Sequence, residues 1–368
     1  MKKIAIFIVL PLLLLMFTGK AHAQVTSETQ TGVIKSIEAL SSNPIVTGQP
    51  NIVLKVELTS GKNKGKEITI DLSNDIAALN KNYQAGNKIL VQKAINEQGE
   101  EIYYVNDFLR TNALIGLAII FVIAVLVVSK TWGLASILGM AYSFFIIFKF
   151  MLPNLLNGYD PLLVAIVGAI LISPVTFYFS HGFNKKTTVA LIGTFIALLI
   201  TEVLSTIAIN MSHLTGFGSE EAYFLNLASK GTINMKGIFL AGIIIGTLGI
   251  LDDVTVSQAS IVNQLKKANK TLTQADLFKR AMHVGHDHIT STVNTLILVY
   301  TGAAMPLLLL FLNSQKSFIE LINTEMVAEE IIRTMVGSIG LIAAVPITTL
   351  IAVYALTGDE DDSLAHHH

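Results

Sequence analysis

The stretch Gly242-Ile-Ile-Ile-Gly246-Thr-Leu-Gly249-Ile-Leu-Asp252-Asp253-Val-Thr255 is apolar enough to cross a bilayer, yet it runs into two adjacent carboxylates. A charged side chain at the centre of a membrane helix costs about 2.5 to 3.5 kcal/mol on insertion scales, so it marks a group facing water, a partner or a substrate path. At helical spacing Gly242, Gly246, Gly249 and Asp253 share one stripe, so a glycine seam that would admit a close neighbour ends in a carboxylate. Asp252 points about 100° away from that seam, toward a more solvated direction.

The rest of the chain belongs to the same class. Hydrophobic residues make up 52% and charged residues 14% of it, and long apolar runs recur from residue 113 onward. An average soluble domain is about 25% charged, so a polytopic membrane protein is expected. A formal net charge of -1 argues against nucleic acid or a polyanionic partner. With no cysteine, disulfides, thiolate metal sites and cysteine nucleophiles are excluded.

Seven candidate spans follow, at approximately 112–129, 132–152, 161–180, 187–210, 236–256, 288–312 and 334–356. Before them, residues 1–23 read as a secretory signal, with Lys2 and Lys3, an apolar core from Ile4 to Phe17, and Ala21-His-Ala23 at the cleavage position. An uncleaved signal anchor is the competing reading, and both put the next segment outside. Residues 24–111 alternate apolar and polar side chains in Thr31-Gly-Val-Ile-Lys35, Asn51 to Leu58, Glu67 to Leu72, Lys88 to Gln92 and Glu101 to Val105. Gly61, Gly65, Gly86 and Gly99 separate these runs, which predicts five short strands and a small β-barrel, OB-like in topology. This domain either binds a protein partner or caps the membrane part.

The expected fold is therefore a bundle of about seven transmembrane helices over residues 112–357, with an extracytoplasmic β-barrel before it. Residues 358–368 form an acidic tail ending in a tag-like run, so His366, His367 and His368 are not counted as ligands. Lys130, Lys185, Lys186, Lys266, Lys267, Lys270, Lys279 and Arg280 fall in loops that this arrangement puts inside, which orients the chain in the cytoplasmic membrane with the β domain outside. Two further helices are expected in loops. Thr273-Gln-Ala-Asp276 resembles a capping box opening a cytoplasmic interfacial elbow, and Ser219 to Leu227 is too short to span.

Polar groups inside the spans supply the candidate site. Asp287, Ser291, Asn294 and Leu298 share a face of the sixth span, with Thr295 beside them, and enter from the same side as Asp253. A cavity holding Asp253 and Asp287 at its inner mouth, with Ser291, Asn294 and Thr295 deeper, would suit a proton, a monovalent or divalent cation, or a polar solute. Glu202 sits deeper, in the interior of the fourth span, and is a second station on such a path or a protonated acid bonded to a neighbouring helix. His283 and His286 can share a helix face, but His288 cannot join them, so a metal site has weak support and no cofactor is identified.

Leu251-Asp-Asp253-Val-Thr-Val-Ser257, Gly285-His-Asp287 and Thr292-Val-Asn294-Thr-Leu296 resemble the YibE/F-like family of polytopic membrane proteins. The resemblance extends through Gly158-Tyr-Asp160-Pro, His181-Gly-Phe-Asn184-Lys-Lys, Val327-Ala-Glu-Glu330 and Gly337-Ser-Ile-Gly340. It implies a membrane bundle and places Asp253, Asp287 and Asn294 in the motif, while His286 and His288 do not clearly belong to it. It brings no substrate. Three function classes stay open: a solute or ion transporter, a non-transporting membrane partner or assembly factor, and an intramembrane aspartyl hydrolase in which two acids share a proton. Lipid is a partner in all three, a homo-oligomer is compatible with the small-residue faces, and nucleic acid is not expected.

Overall fold

The computed structural model describes residues 28–40, 51–72, 81–95, 101–314 and 316–365. The signal segment and His366 to His368 lie outside them. The described residues divide into two compact units between Val127 and Val128.

In the first unit the five alternating runs form strands β1 (Glu28–Leu40), β2 (Asn51–Leu58), β3 (Glu67–Asp71), β4 (Lys88–Ile95) and β5 (Glu101–Phe108), in the order β3-β2-β1-β4-β5. All neighbours are antiparallel. The first half of β1 pairs with β4 and the second half with β2, across an irregularity between Ile34 and Ser36. A strand shared in this way must bend, and a bulge supplies the extra twist. The sheet curls into a half-barrel around Ile34, Leu54, Val56, Leu58, Ile70, Ile89 and Val91. Gly32 is required inside the curl, because a Cβ there would lie 2.5 Å from the Val56 side chain. Asp107 closes the end of β5. Its carboxylate accepts from Arg110 at 2.7 Å, Lys81 at 2.9 Å and the Phe108 amide at 2.8 Å, and these bonds hold its pKa well below the usual carboxylate range.

Helix α1 (Thr111–Ile146) begins in this unit and breaks at Lys130, which has φ 51° and ψ -125°. The break coincides with the boundary expected between the first two spans. In the second unit α1 continues through a π-helical turn (Ile147–Met151) into α2 (Leu152–Leu156). There follow α3 (Pro161–His181), α4 (Lys185–Met211), α5 (Glu220–Ala228), α6 (Met235–Ala268), α7 (Gln274–Ala303), α8 (Met305–Leu312), α9 (Phe318–Ile322) and α10 (Glu325–Ala365). Among the described residues, five helical segments are long and apolar enough to cross a membrane, or six if the bent α7–α8 pair is one span.

Several motif residues prove to be helix punctuation. Gly158 and Gly182 take φ near +80°, Asp160 caps α3 by accepting from Leu163 N at 2.8 Å, and Asn184 caps α4 through Thr187 N at 3.0 Å. Thr273 caps α7 as its sequence predicts, accepting from Asp276 N at 3.1 Å. Ser219 caps the short α5, which buries none of its side chains.

Three expectations are corrected. Helix α6 does not end near residue 256 but runs to Ala268, because its last turns still bury Gln258, Ala259 and Val262. The expected elbow at 273–282 and the start of the sixth span are one continuous helix, since Leu277, Ala281 and Gly285 repeat on a single buried face. That helix then fails to continue to residue 312: it bends by 64° at Ala304. Pro306 accounts for the bend, because it has no N–H to give the preceding turn and its ring crowds that turn.

The packing of α4, α6 and α10 depends on small residues meeting hydroxyls. A Cβ on Gly340 would overlap the Thr201 hydroxyl, and one on Gly193 would overlap that of Thr348. Between α4 and α6 the buried Thr194 and Thr255 hydroxyls bond at 2.8 Å. Gln258, 2% exposed, donates to Ala281 O at 3.1 Å and to Thr349 Oγ1 at 2.6 Å, so one amide ties α6, α7 and α10. Buried polar groups in a bilayer must find partners within the protein, and Thr194, Thr255 and Gln258 do so across helices.

Candidate functional site

Glu202 lies nine residues before the end of α4, roughly 14 Å along its axis at 1.5 Å per residue, and so well inside the span. Its half-buried side chain lines a cavity of about 440 Å³ between α3, α4 and α6. The seven other lining residues are apolar, Ala169, Phe195, Leu198 and Ile244 among them. The Thr206 hydroxyl, one turn further on, donates to Glu202 Oε1 at 3.2 Å.

Thr206 also lines a second, polar cavity of about 210 Å³ at the Asn210 end of the same three helices. Asp160, Asn210, Asn234 and Lys236 surround it, and Lys236 Nζ donates to Asn210 Oδ1 at 2.6 Å. Asn234 caps α6 by accepting from Gly237 N at 3.0 Å. Gly237 lets the starts of α3 and α6 touch, since a Cβ there would stand 3.0 Å from the Pro161 ring. A polar mouth, a threonine that lines it and bonds the next carboxylate, and that carboxylate in an apolar chamber thus follow one another along α4.

The other predicted residues are distributed differently. Asp253 is exposed, Asp252 is half-buried, and Asp253 lies close enough to His181 for their charges to interact. Both acids stand well inside the long α6, with Asp253 some 18 residues, or about 27 Å, from Met235. Asp287, Ser291, Asn294 and Thr295 are all exposed on α7, and Thr295 donates to Ser291 O at 2.9 Å. They do share a face, but α7 turns the opposite face into the bundle. Asp253 and Asp287 are not joined by a hydrogen bond, and neither lines the cavities described here. The glycine seam is open too. A Cβ on Gly242 or Gly249 would meet nothing within 4 Å, and one on Gly246 only the Tyr300 hydroxyl at 3.9 Å.

His283 and His286 are exposed and His288 is half-buried. No group of three or more His, Cys, Asp or Glu side chains converges as a metal site among the described residues.

Two features escape the sequence reading. At the start of α10, Glu325 Oε1 accepts from Thr215 N at 2.6 Å, Thr215 Oγ1 at 2.7 Å and Gly216 N at 2.9 Å, and buried Glu329 accepts from Gly218 N at 3.0 Å. Successive backbone amides form an anion-binding nest, and here the anion is the chain's own side chain. One turn on, Arg333 bonds Glu330 at 2.5 Å and stands 5.1 Å over the Phe239 ring. Glu330 and Tyr300 line a third cavity of about 460 Å³, at the bend between α7 and α8. The signal for both was the spacing Glu325, Glu329, Glu330, Arg333, which puts these charges on the first turns of the last span rather than in the loop before it.

No curated protein and no solved structure matches the chain. The family model described as YibE/F-like protein matches residues 117–358, most of the chain and all of the helices that build these cavities, and the protein belongs to that family.

Proposed function

We propose that this multi-pass membrane protein is a transporter whose path runs through α3, α4 and α6, with Glu202 as its charged station inside the membrane. The observation that carries this is Thr206, which lines the polar mouth while its hydroxyl donates to the Glu202 carboxylate in the apolar chamber. Ionisable groups inside membrane bundles mark proton relays and ion or substrate pathways, and Glu202 combines depth, a cavity and a polar approach. With the lysine-rich loops inside, the mouth opens to the outside of the cytoplasmic membrane. The strand order β3-β2-β1-β4-β5 supports an OB-like reading of the β domain, which this orientation puts outside. Glu202 is the one titratable group of its chamber, and Asp160 and Lys236 are those of the adjoining mouth.

The test is proton-driven flux in sealed vesicles containing the purified full chain. Glu202→Gln is expected to lower it at least tenfold, and Glu202→Asp to retain part of it. Undiminished flux in Glu202→Gln would remove Glu202 from the path.

A second reading, an assembly of several chains, is favoured by the open glycine seam and the exposed polar stripe of α7. A carboxylate, an amide and hydroxyls on the outside of a membrane helix are stabilised when another chain covers them. Cysteines introduced at Gly246 and Ser291 would crosslink between copies, or to a partner, if those faces are covered.

A further inference from the structure

We propose that the Glu202 chamber binds a lipophilic organic cation, an ammonium or phosphonium whose charge is wrapped in hydrocarbon, entering sideways from the bilayer. The inference deepens the reading of Glu202 as the station of the path, and rests on it. The lining decides the chemical class. A hard inorganic cation must exchange its water for about six or more oxygen ligands. The chamber offers one carboxylate and the threonine hydroxyl bonded to it, against seven hydrocarbon side chains. It cannot rebuild a hydration shell. An organic cation has little hydration to lose, and its apolar groups are stabilised on such walls by about 25 cal/mol for each Å² removed from water. A neutral hydrocarbon would fit the walls but leave the carboxylate without a counter-charge, which is costly in an apolar chamber. Phe195 adds an aromatic face of the kind that attracts cations.

The route of entry follows from exposure and charge. Ile170 and Leu199, which line the chamber, are 52% and 61% exposed, so it opens on the apolar flank of the helices. The polar mouth sets Lys236 against Asp160, so it offers no net negative charge to draw a cation in through water. Protons and water have the mouth, and the organic cation has the flank. The volume of about 440 Å³ falls in the usual range for small-molecule sites, roughly 300–1,000 Å³.

The experiment is equilibrium binding of tetraphenylphosphonium, and of neutral triphenylphosphine oxide, to the full chain in detergent. Wild type, Glu202→Gln and Glu202→Asp are compared, each with a melting curve to establish that it is folded. Saturable phosphonium binding is expected in wild type, weakened at least tenfold by Glu202→Gln and no more than a few-fold by Glu202→Asp, with no Glu202-dependent binding of the neutral compound. Equal phosphonium binding to wild type and Glu202→Gln would overturn the inference, as would the same Glu202 dependence for the neutral oxide. The flux assay separates the two levels. Glu202-dependent flux without phosphonium binding removes the ligand class and leaves the path, whereas Glu202-dependent binding without flux leaves the site and removes transport.

Discussion

Gly340→Leu is expected to prevent the helical unit from folding, while the same change at Gly242 leaves it intact. A Cβ on Gly340 would overlap the Thr201 hydroxyl and lie 3.3 Å from Thr201 Cβ, so rotating the hydroxyl away does not clear the clash. Thr201 is fully buried and donates to Ala197 O at 2.8 Å, so moving it also leaves a buried donor without its acceptor. Overpacking costs about 1–3 kcal/mol and a lost buried hydrogen bond leaves a further penalty of about 1–3 kcal/mol, before the rest of the leucine is accommodated. That is a large part of the stability of an ordinary domain. At Gly242 the same side chain meets open space. Thermal melting of both variants in detergent measures the contrast. Equal damage at both positions would mean that the seam of α6 is covered by another chain.

Glu325→Ala is expected to release the loop between α4 and α5 from the start of α10. The wild-type carboxylate satisfies two backbone amides and a hydroxyl within 2.9 Å, with Phe217 N at 3.4 Å as a longer fourth. Alanine leaves all of them without an acceptor. Hydrogen bonds to a charged group contribute about 1.5–3 kcal/mol each, and water will recover part of this because the group is partly exposed. The loop has little freedom to find a substitute. Gly216 holds φ +87°, and a Cβ there would lie 2.5 Å from the Met235 backbone. A melting point lowered by several degrees and new protease cleavage near residues 215–218 are the expected readouts, with Glu325→Gln milder because an amide oxygen still accepts. Unchanged cleavage in Glu325→Ala would show that the nest does not hold the loop.

The strands were legible because a half-buried sheet writes its faces as alternation, and all five runs quoted from the sequence became strands. The break at Lys130 was legible as a charge between two apolar runs. Helix ends were less so. Hydropathy marks where lipid ends, whereas α6 and α7 continue past it on amphipathic packing through Gln258, Val262, Leu277 and Ala281. The bend at Ala304 had its signal in Pro306, masked by the apolar residues on both sides.

At the site, depth singled out Glu202, because an acid inside an apolar run needs a reason that can be read from one helix. Its partners could not be read that way. Thr206 lies on the same helix, but the mouth also takes Asp160 from the start of α3 and Lys236 from the start of α6. Which starts of helices meet is a property of packing. The stripe Asp287, Ser291, Asn294 was recognised as one face of a helix, and periodicity alone could not tell that this face is the exposed one.

A hydrophobic carbodiimide, which reaches carboxyls from the apolar phase, tests the role of Glu202 most directly when its modification is followed by mass spectrometry alongside flux in the same vesicles. Glu202 is predicted to be the carboxyl whose modification tracks the loss of flux, with Glu202→Gln insensitive to the reagent and already inactive. Flux that continues after Glu202 is fully modified would contradict a path through that residue.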